Sequence, residues 1–185
     1  MALTKTPVCD FGKKANDFKL KSIENKLVSL NDIKGDKATL IMFICNHCPY
    51  VKAIIKDLAK DCNELKKDGI NSVAIMSNDT KNYPEDSFDN MIKFAETNNF
   101  GEVNYLFDET QEIAKKYGAV CTPDFFGYNK DLELQYRGRF RELKDLKPVN
   151  NGESDLKAAM KMVAQTNKGP DQQIPSMGCN IKWFN

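Results

Sequence analysis

No stretch of this 185-residue chain approaches the roughly 18 consecutive apolar residues of a membrane-spanning helix. The opening segment, residues 1–10, has no apolar h-region of the kind a secretory signal carries. An excess of one charge is also missing. With 27 basic against 26 acidic side chains and a formal net charge of +1, no field points toward nucleic acid or an anionic membrane. Six cysteines are too few and too unevenly spaced for a disulfide scaffold, and in a reducing compartment a close pair serves catalysis or metal binding. There is no internal repeat and no low-complexity tract. These absences predict one cytoplasmic domain over residues 1–185, which at 41% hydrophobic composition can bury one good core. Histidine is scarcest of all: His47 is the only one.

That histidine stands in the most informative stretch, Leu40-Ile-Met-Phe-Ile-Cys-Asn-His-Cys-Pro-Tyr50. A strand that empties into Cys45-x-x-Cys48 and then into an amphipathic run puts two thiols at a helix N-terminus. Unpaired backbone N–H groups there favour an anion, and hence a thiolate. The spacing of Val51, Ile54, Ile55, Leu58, Cys62 and Leu65 predicts a helix that begins at the CxxC and closes at Gly69. Strands are expected at Val28–Leu30, Ala38–Ile44, Ser72–Met76 and Val103–Phe107, the second apolar throughout as for a strand covered on both faces. Pro84 and the acids after it open a second helix carrying Phe88, Met91 and Ile92. A short helix, Thr110–Tyr117, ends at Gly118. Phe125–Tyr128 and Leu132–Tyr136 make a hairpin, and Asp155–Thr166 is the final helix. The alternation points to an α/β fold with a mixed sheet.

Gly12, Ala15, Asp17-Phe18, Leu20, Val28-Ser29-Leu30 and Gly35, followed by a strand and a CxxC, resemble the thioredoxin-fold proteins of the AhpC/TSA superfamily of peroxiredoxins and thiol-disulfide reductases. More narrowly, Phe43–Val51, Cys121-Thr-Pro-Asp-Phe-Phe126 and Gly178-Cys-Asn-Ile-Lys-Trp183 resemble a bacterial peroxiredoxin-like thioredoxin family. The resemblance implies a thioredoxin-like fold, a mixed β-sheet flanked by helices, with an N-terminal extension and a C-terminal tail. It implies that Thr122-Pro123 is a cis-proline turn facing the dithiol, with the Thr122 backbone left free for a substrate segment. It implies no cofactor beyond the redox-active disulfide and no resident metal.

On this reading Cys45, at the exposed lip of the helix, is the nucleophile of a thiol-disulfide oxidoreductase, and Cys48, one turn further in, is the resolving thiol. Its partners are protein or small-molecule thiols and disulfides, with an electron donor the sequence does not name. His47 is expected to stabilise the Cys45 thiolate. Thioredoxin, at pKa about 7 and about −270 mV, and the periplasmic oxidase, at about 3.5 and −120 mV, bracket the expectation. The expected Cys45 pKa is below about 7, with a potential above thioredoxin's. Thr39 stands where thioredoxin has its buried carboxylate, so proton transfer to and from Cys48 must use water or another group.

Two alternatives stand beside it. A thiol peroxidase would use Cys45 as the peroxidatic cysteine, although Met42 and Ala38 occupy the places of the threonine and proline that shape a peroxide pocket. A copper or zinc carrier would use Cys45, Cys48, Cys121 and His47. Cys121 reads as a third redox thiol, a soft metal ligand or core filler. Cys179 pairs with Cys121, resolves Cys45 or is inert. Cys62 reads as a core residue and Cys9 as a free surface or lightly buried thiol. Arg137, Arg139 and Arg141 read as a solvated strand face.

Overall fold

The computed structural model describes residues 3–185. In chain order the elements begin with β1 (Leu3–Lys5), β2 (Lys19–Ser22), β3 (Leu27–Ser29), α1 (Leu30–Ile33), β4 (Ala38–Phe43), α2 (Pro49–Lys52), α3 (Ile55–Lys66) and β5 (Ile70–Met76). They continue with α4 (Phe88–Thr97), β6 (Asn104–Phe107), α5 (Glu112–Tyr117), β7 (Cys121–Thr122), β8 (Asp124–Asn129) and β9 (Leu134–Tyr136). Last come β10 (Leu143–Lys144), β11 (Lys147–Pro148), α6 (Asp155–Thr166) and β12 (Met177–Asn180). Seven strands form one mixed sheet in the order β3-β2-β6-β5-β4-β8-β9, with β4, β5 and β6 mutually parallel and the outer pairings antiparallel. The N-terminal extension and C-terminal tail meet in a second sheet of order β1-β12-β7.

The sheet is covered on both faces, which explains why β4 is apolar without alternation. Its side chains still alternate in direction. Ala38, Leu40 and Met42 pack with residues of α3, α4 and α6, including Leu58, Met91 and Met160. Ile41 and Phe43 pack on the opposite side with Leu30 and Ile33 of α1 and Ile113 and Tyr117 of α5. The CxxC follows directly from this central strand, every residue of which is buried.

Local signals carried most element boundaries. Gly69 and Gly118 take positive φ of +78° and +67°, the left-handed closure that a helix end favours. The final helix spans the expected residues and is capped by Ser154, whose hydroxyl accepts from the Lys157 amide. Three expectations need correction. Leu30 belongs to α1 rather than to a strand, because Ser29 and Asp32 form a reciprocal capping box. The helix after the CxxC is broken: Ile54, at φ −119°, separates α2 from α3, while Val51, Ile54, Ile55 and Leu58 all stay buried across the break. The segment opened by Pro84 is a single 3₁₀ turn, Pro84–Asp86, after which Ser87 caps a fresh helix.

The arginines are not a solvated face. Arg137 is buried, with Nη2 2.9 Å from Asp124 Oδ2 and the guanidinium 4.4 Å from the Phe126 ring centroid. Arg139 Nε lies 2.6 Å from Asp155, and Arg141 lies 3.9 Å from Asp57. The physical reason is the returning tail, which covers the β9 edge: the Arg137 amide donates to Gln173 Oε1 and the Arg139 amide to the Ile174 carbonyl, both at 2.7 Å. Removing one partner of a buried ion pair strands the other charge. Asp124→Ala is therefore expected to lower unfolding free energy in urea by about 3 kcal/mol. Arg139→Ala, which breaks a partly exposed pair, is expected to cost no more than about 1 kcal/mol.

Candidate active site

The site is assembled by three chain segments that meet at the C-terminal end of β4. The first is the CxxC itself. Pro49 occupies the first position of α2 and Cys48 its N-cap, so the second thiol lies at the end where helix amides are unpaired. The second segment is the Thr122-Pro123 turn, whose peptide bond is cis. Cys45 Sγ lies 3.3 Å from Thr122 Oγ1, and Cys48, when protonated, donates to the Thr122 carbonyl at 3.1 Å. The third is β12, which puts Cys179 Sγ 3.0 Å from Cys48 Sγ. All of these cysteines are free thiols.

Two expectations about access are overturned here. Cys45 is not at an exposed lip, since both Cys45 and Cys48 have 0% exposure. Nor is the Thr122 backbone free: β7 pairs antiparallel with β12, with Thr122 opposite Cys179 and Cys121 opposite Asn180. The tail occupies the edge where a substrate segment was expected to lie. Gly178 permits this approach, since a Cβ at that position would overlap the Thr122 carbonyl. Beside the turn a cavity of about 430 Å³ opens, lined by Tyr50, Ile54, Pro123, Arg139 and Phe140 among others.

His47 has a partner that sequence reasoning missed. Its Nδ1 is 2.7 Å from Oδ2 of Asp86, a carboxylate with 0% side-chain exposure. Asp86 Oδ1 accepts from the backbone amides of Asn46 and His47 at 2.8 and 3.2 Å, and Oδ2 accepts from the Asn78 amide group at 2.8 Å. The imidazole stacks on Tyr83 with ring centroids 5.5 Å apart. A Cys45 sulfur, a His47 ring nitrogen and an Asp86 oxygen lie within 4.8 Å of one another. Asp86 thus supplies the buried carboxylate that Thr39 does not; Thr39 Oγ1 instead accepts from the Gly35 amide. Nothing in Pro84-Glu-Asp-Ser distinguishes Asp86 from the ordinary acids of a helix start.

The charges fall differently from expectation. A hydrogen bond from Cys45 pulls the Cys48 thiol down to about 5 against the opposing effect of burial, helped by the Cys179 thiol and by the backbone amides of Cys179 and Val51. Cys45 is pushed up, first by its hydrogen bond to Cys48, then by burial and by the Asp86 carboxylate. Of the two sulfurs, Cys48 is therefore the one whose surroundings favour a thiolate. His47 does not lower Cys45, because its proton is directed at Asp86, whose hydrogen bond raises the imidazole pKa.

The remaining thiols separate cleanly. Cys121 faces its neighbour's backbone, with Sγ 3.6 Å from the Pro123 carbonyl, and burial pushes its thiol up. Cys62 is raised to about 12 and Cys9 to about 11, in both cases by burial. For a metal, the donors that lie together are Cys45, His47 and Asp86, without Cys121, and both Asp86 oxygens already accept N–H groups.

Because His47 is the only histidine, its ring resonances titrate alone in a proton NMR experiment. The expected midpoint lies above the ordinary value of about 6.5, and Asp86→Asn brings it back to that value or below. A histidine whose folded pKa is raised stabilises the fold below its unfolded pKa, and this stabilisation is lost as pH rises through the folded pKa. Wild-type stability therefore falls relative to Asp86→Asn across that window.

A family model described as the AhpC/TSA family matches residues 11–140. No curated protein matches the sequence. Among solved structures, an uncharacterised conserved protein from Geobacillus kaustophilus shares 42% identity over 100% of this chain and 97% of its own, with a TM-score of 0.89. A hypothetical protein from Sinorhizobium meliloti shares 36% identity over 98% of each chain, with a TM-score of 0.90. The thioredoxin domain of a thiol-disulfide oxidoreductase from Bacteroides vulgatus is 19% identical, covers 69% of this chain and 86% of its own, and superposes with a TM-score of 0.58. The fold is that of thioredoxin, and the chain, with a dithiol at the end of its central strand, belongs to the AhpC/TSA family.

Proposed function

We propose that the chain is a thiol-disulfide oxidoreductase in which Cys45 and Cys48 alternate between dithiol and disulfide. The observation that carries this is placement: Cys45 and Cys48 stand at the N-terminus of α2 against the Thr122-Pro123 turn, with Cys45 Sγ 3.3 Å from Thr122 Oγ1 and Cys48 Sγ 3.1 Å from the Thr122 carbonyl oxygen. Loss of the Cys45 proton gives the attacking thiolate at the sulfur that His47 and Asp86 adjoin. Cys45 then attacks one sulfur of a client disulfide, whose other sulfur departs as a thiolate and takes a proton. Cys48, losing its proton, attacks Cys45 Sγ, closes the Cys45–Cys48 bond and releases the client's first sulfur as a thiolate, which is protonated in turn. The client gains two electrons and the chain loses two. The same steps run backward when the chain oxidises a client dithiol.

Thiol-based redox chemistry is common to this reading and to the peroxidase alternative. What favours disulfide exchange is the pocket. Met42 and Ala38 are buried in β4 and pack into the core, so neither supplies a hydroxyl or a shaped rim for a peroxide. Against a metal carrier on Cys45, Cys48, Cys121 and His47 stands their placement: among the described residues the donors that lie together are Cys45, His47 and Asp86.

Mass spectrometry with an aromatic disulfide as client tests the reading. Cys48→Ser is expected to accumulate a mixed disulfide on Cys45, and Cys45→Ser to lose single-turnover exchange by at least about 100-fold. Hydrogen peroxide consumption that persists at the wild-type rate in Cys48→Ser, with no mixed disulfide formed, contradicts it.

A further inference from the structure

We propose that Cys179 is a third redox thiol, which takes the disulfide over from Cys45 and Cys48 to form a Cys48–Cys179 bridge. The inference rests on the dithiol reading above and extends it to the tail. Its basis is placement. The sulfur of Cys179 lies 3.0 Å from that of Cys48, and it is held there by a strand register, Cys179 opposite Thr122, rather than by a loose terminus. The register is continued on the far side by β1, where Leu3 pairs with Cys179 and Thr4 with Gly178. Ser176 Oγ donates to the Pro123 carbonyl at 2.8 Å, and the Lys182 amide donates to Asn78 Oδ1 at 2.9 Å, so β12 is anchored before and after the cysteine. A client segment that adds to a sheet edge would make the pairing β12 makes with β7. The tail therefore presents its own cysteine to the dithiol as an intramolecular client.

The step is redox-neutral. In the oxidised chain, the Cys179 thiolate attacks Cys48 Sγ. The Cys179–Cys48 bond forms, the Cys48–Cys45 bond breaks, and Cys45 leaves as a thiolate that takes up the proton Cys179 lost. Only two sulfurs change partners. Cys179 is raised to about 12 by burial and by its contact with Cys48, and the second of these causes disappears once Cys48 is bound in a disulfide. Lys182, near Cys179, favours the thiolate. The result leaves Cys45 a free thiol beside His47 and Asp86 while the oxidising equivalent is stored between Cys48 and the tail. Attack at Cys48 rather than Cys45 follows from the 3.0 Å approach.

The test equilibrates the full-length chain in glutathione buffers of increasing oxidised fraction, quenches with acid and maps bridges after tryptic digestion. Cys45 and Cys48 share the tryptic peptide Ala38–Lys52, and Cys179 falls in Gly169–Lys182, so the two bridges differ as a loop within one peptide and a link between two. The expected result is a linked pair whose fragments place the bond on Cys48, absent in Cys179→Ser. Gly178→Ala, which lifts β12 from the Thr122 carbonyl, is expected to lower the ratio of linked pair to loop at least about fivefold, the effect of roughly 1 kcal/mol. A loop alone at every buffer ratio, with client exchange intact, overturns the inference and leaves the oxidoreductase reading standing. A link on Cys45 instead of Cys48 also overturns it. Neither bridge, together with no client exchange, overturns both.

Discussion

The site depends on one buried carboxylate. Asp86 has no water to bond, so each of its oxygens must find donors within the protein, and it finds them on different segments. Two come from the backbone of the CxxC loop, one from the His47 ring and one from Asn78 in the segment after β5. Asn78 in turn accepts from the Lys182 amide, so the same network reaches the tail. The loop that aims the thiols, the ring that adjoins Cys45 and the strand that covers Cys48 are thus tied to one charged group.

The two sulfurs differ in how far their surroundings favour a thiolate, and the difference follows from which groups surround each. Around Cys48, thiol and amide donors outweigh burial, whereas at Cys45 burial and the Asp86 carboxylate work against the thiolate that the Thr122 hydroxyl favours. A thiolate on Cys45 would stand beside the Asp86 carboxylate, which disfavours it there. The imidazole compensates Asp86 rather than the thiolate. It links the buried acid to the rim of the site, with 14% of its side chain exposed, where protons can exchange with solvent. The covering strand completes the enclosure by occupying the Thr122 edge.

What the sequence discloses is what short-range physics determines. The unbroken apolar run of β4, the glycine closures at Gly69 and Gly118 and the capped helix at Asp155 are each encoded by neighbours within a few residues. The thiols were legible as a pair for the same reason, and the Thr122-Pro123 turn through family resemblance. Asp86 was not, because its partners lie some forty positions upstream and an acid after Pro84 already has an ordinary explanation. The β12 pairing joins positions that no local pattern relates, and Gly178-Cys-Asn-Ile-Lys-Trp183 entered only as a motif without a place. Arg137 misled because an exposed edge and an edge covered by a returning tail carry the same charged residues.

The claim on which the account stands is that the surroundings of the reduced dithiol favour a thiolate on Cys48 over one on Cys45. Thiolate absorbance near 240 nm, followed across pH in the reduced chain, measures this directly. The account predicts a step of one thiolate with a midpoint of about 5, no second step from Cys45 in the ordinary thiol range, and loss of the early step in Cys48→Ser. A chain that shows no thiolate until the ordinary range near pH 8.5 would contradict it.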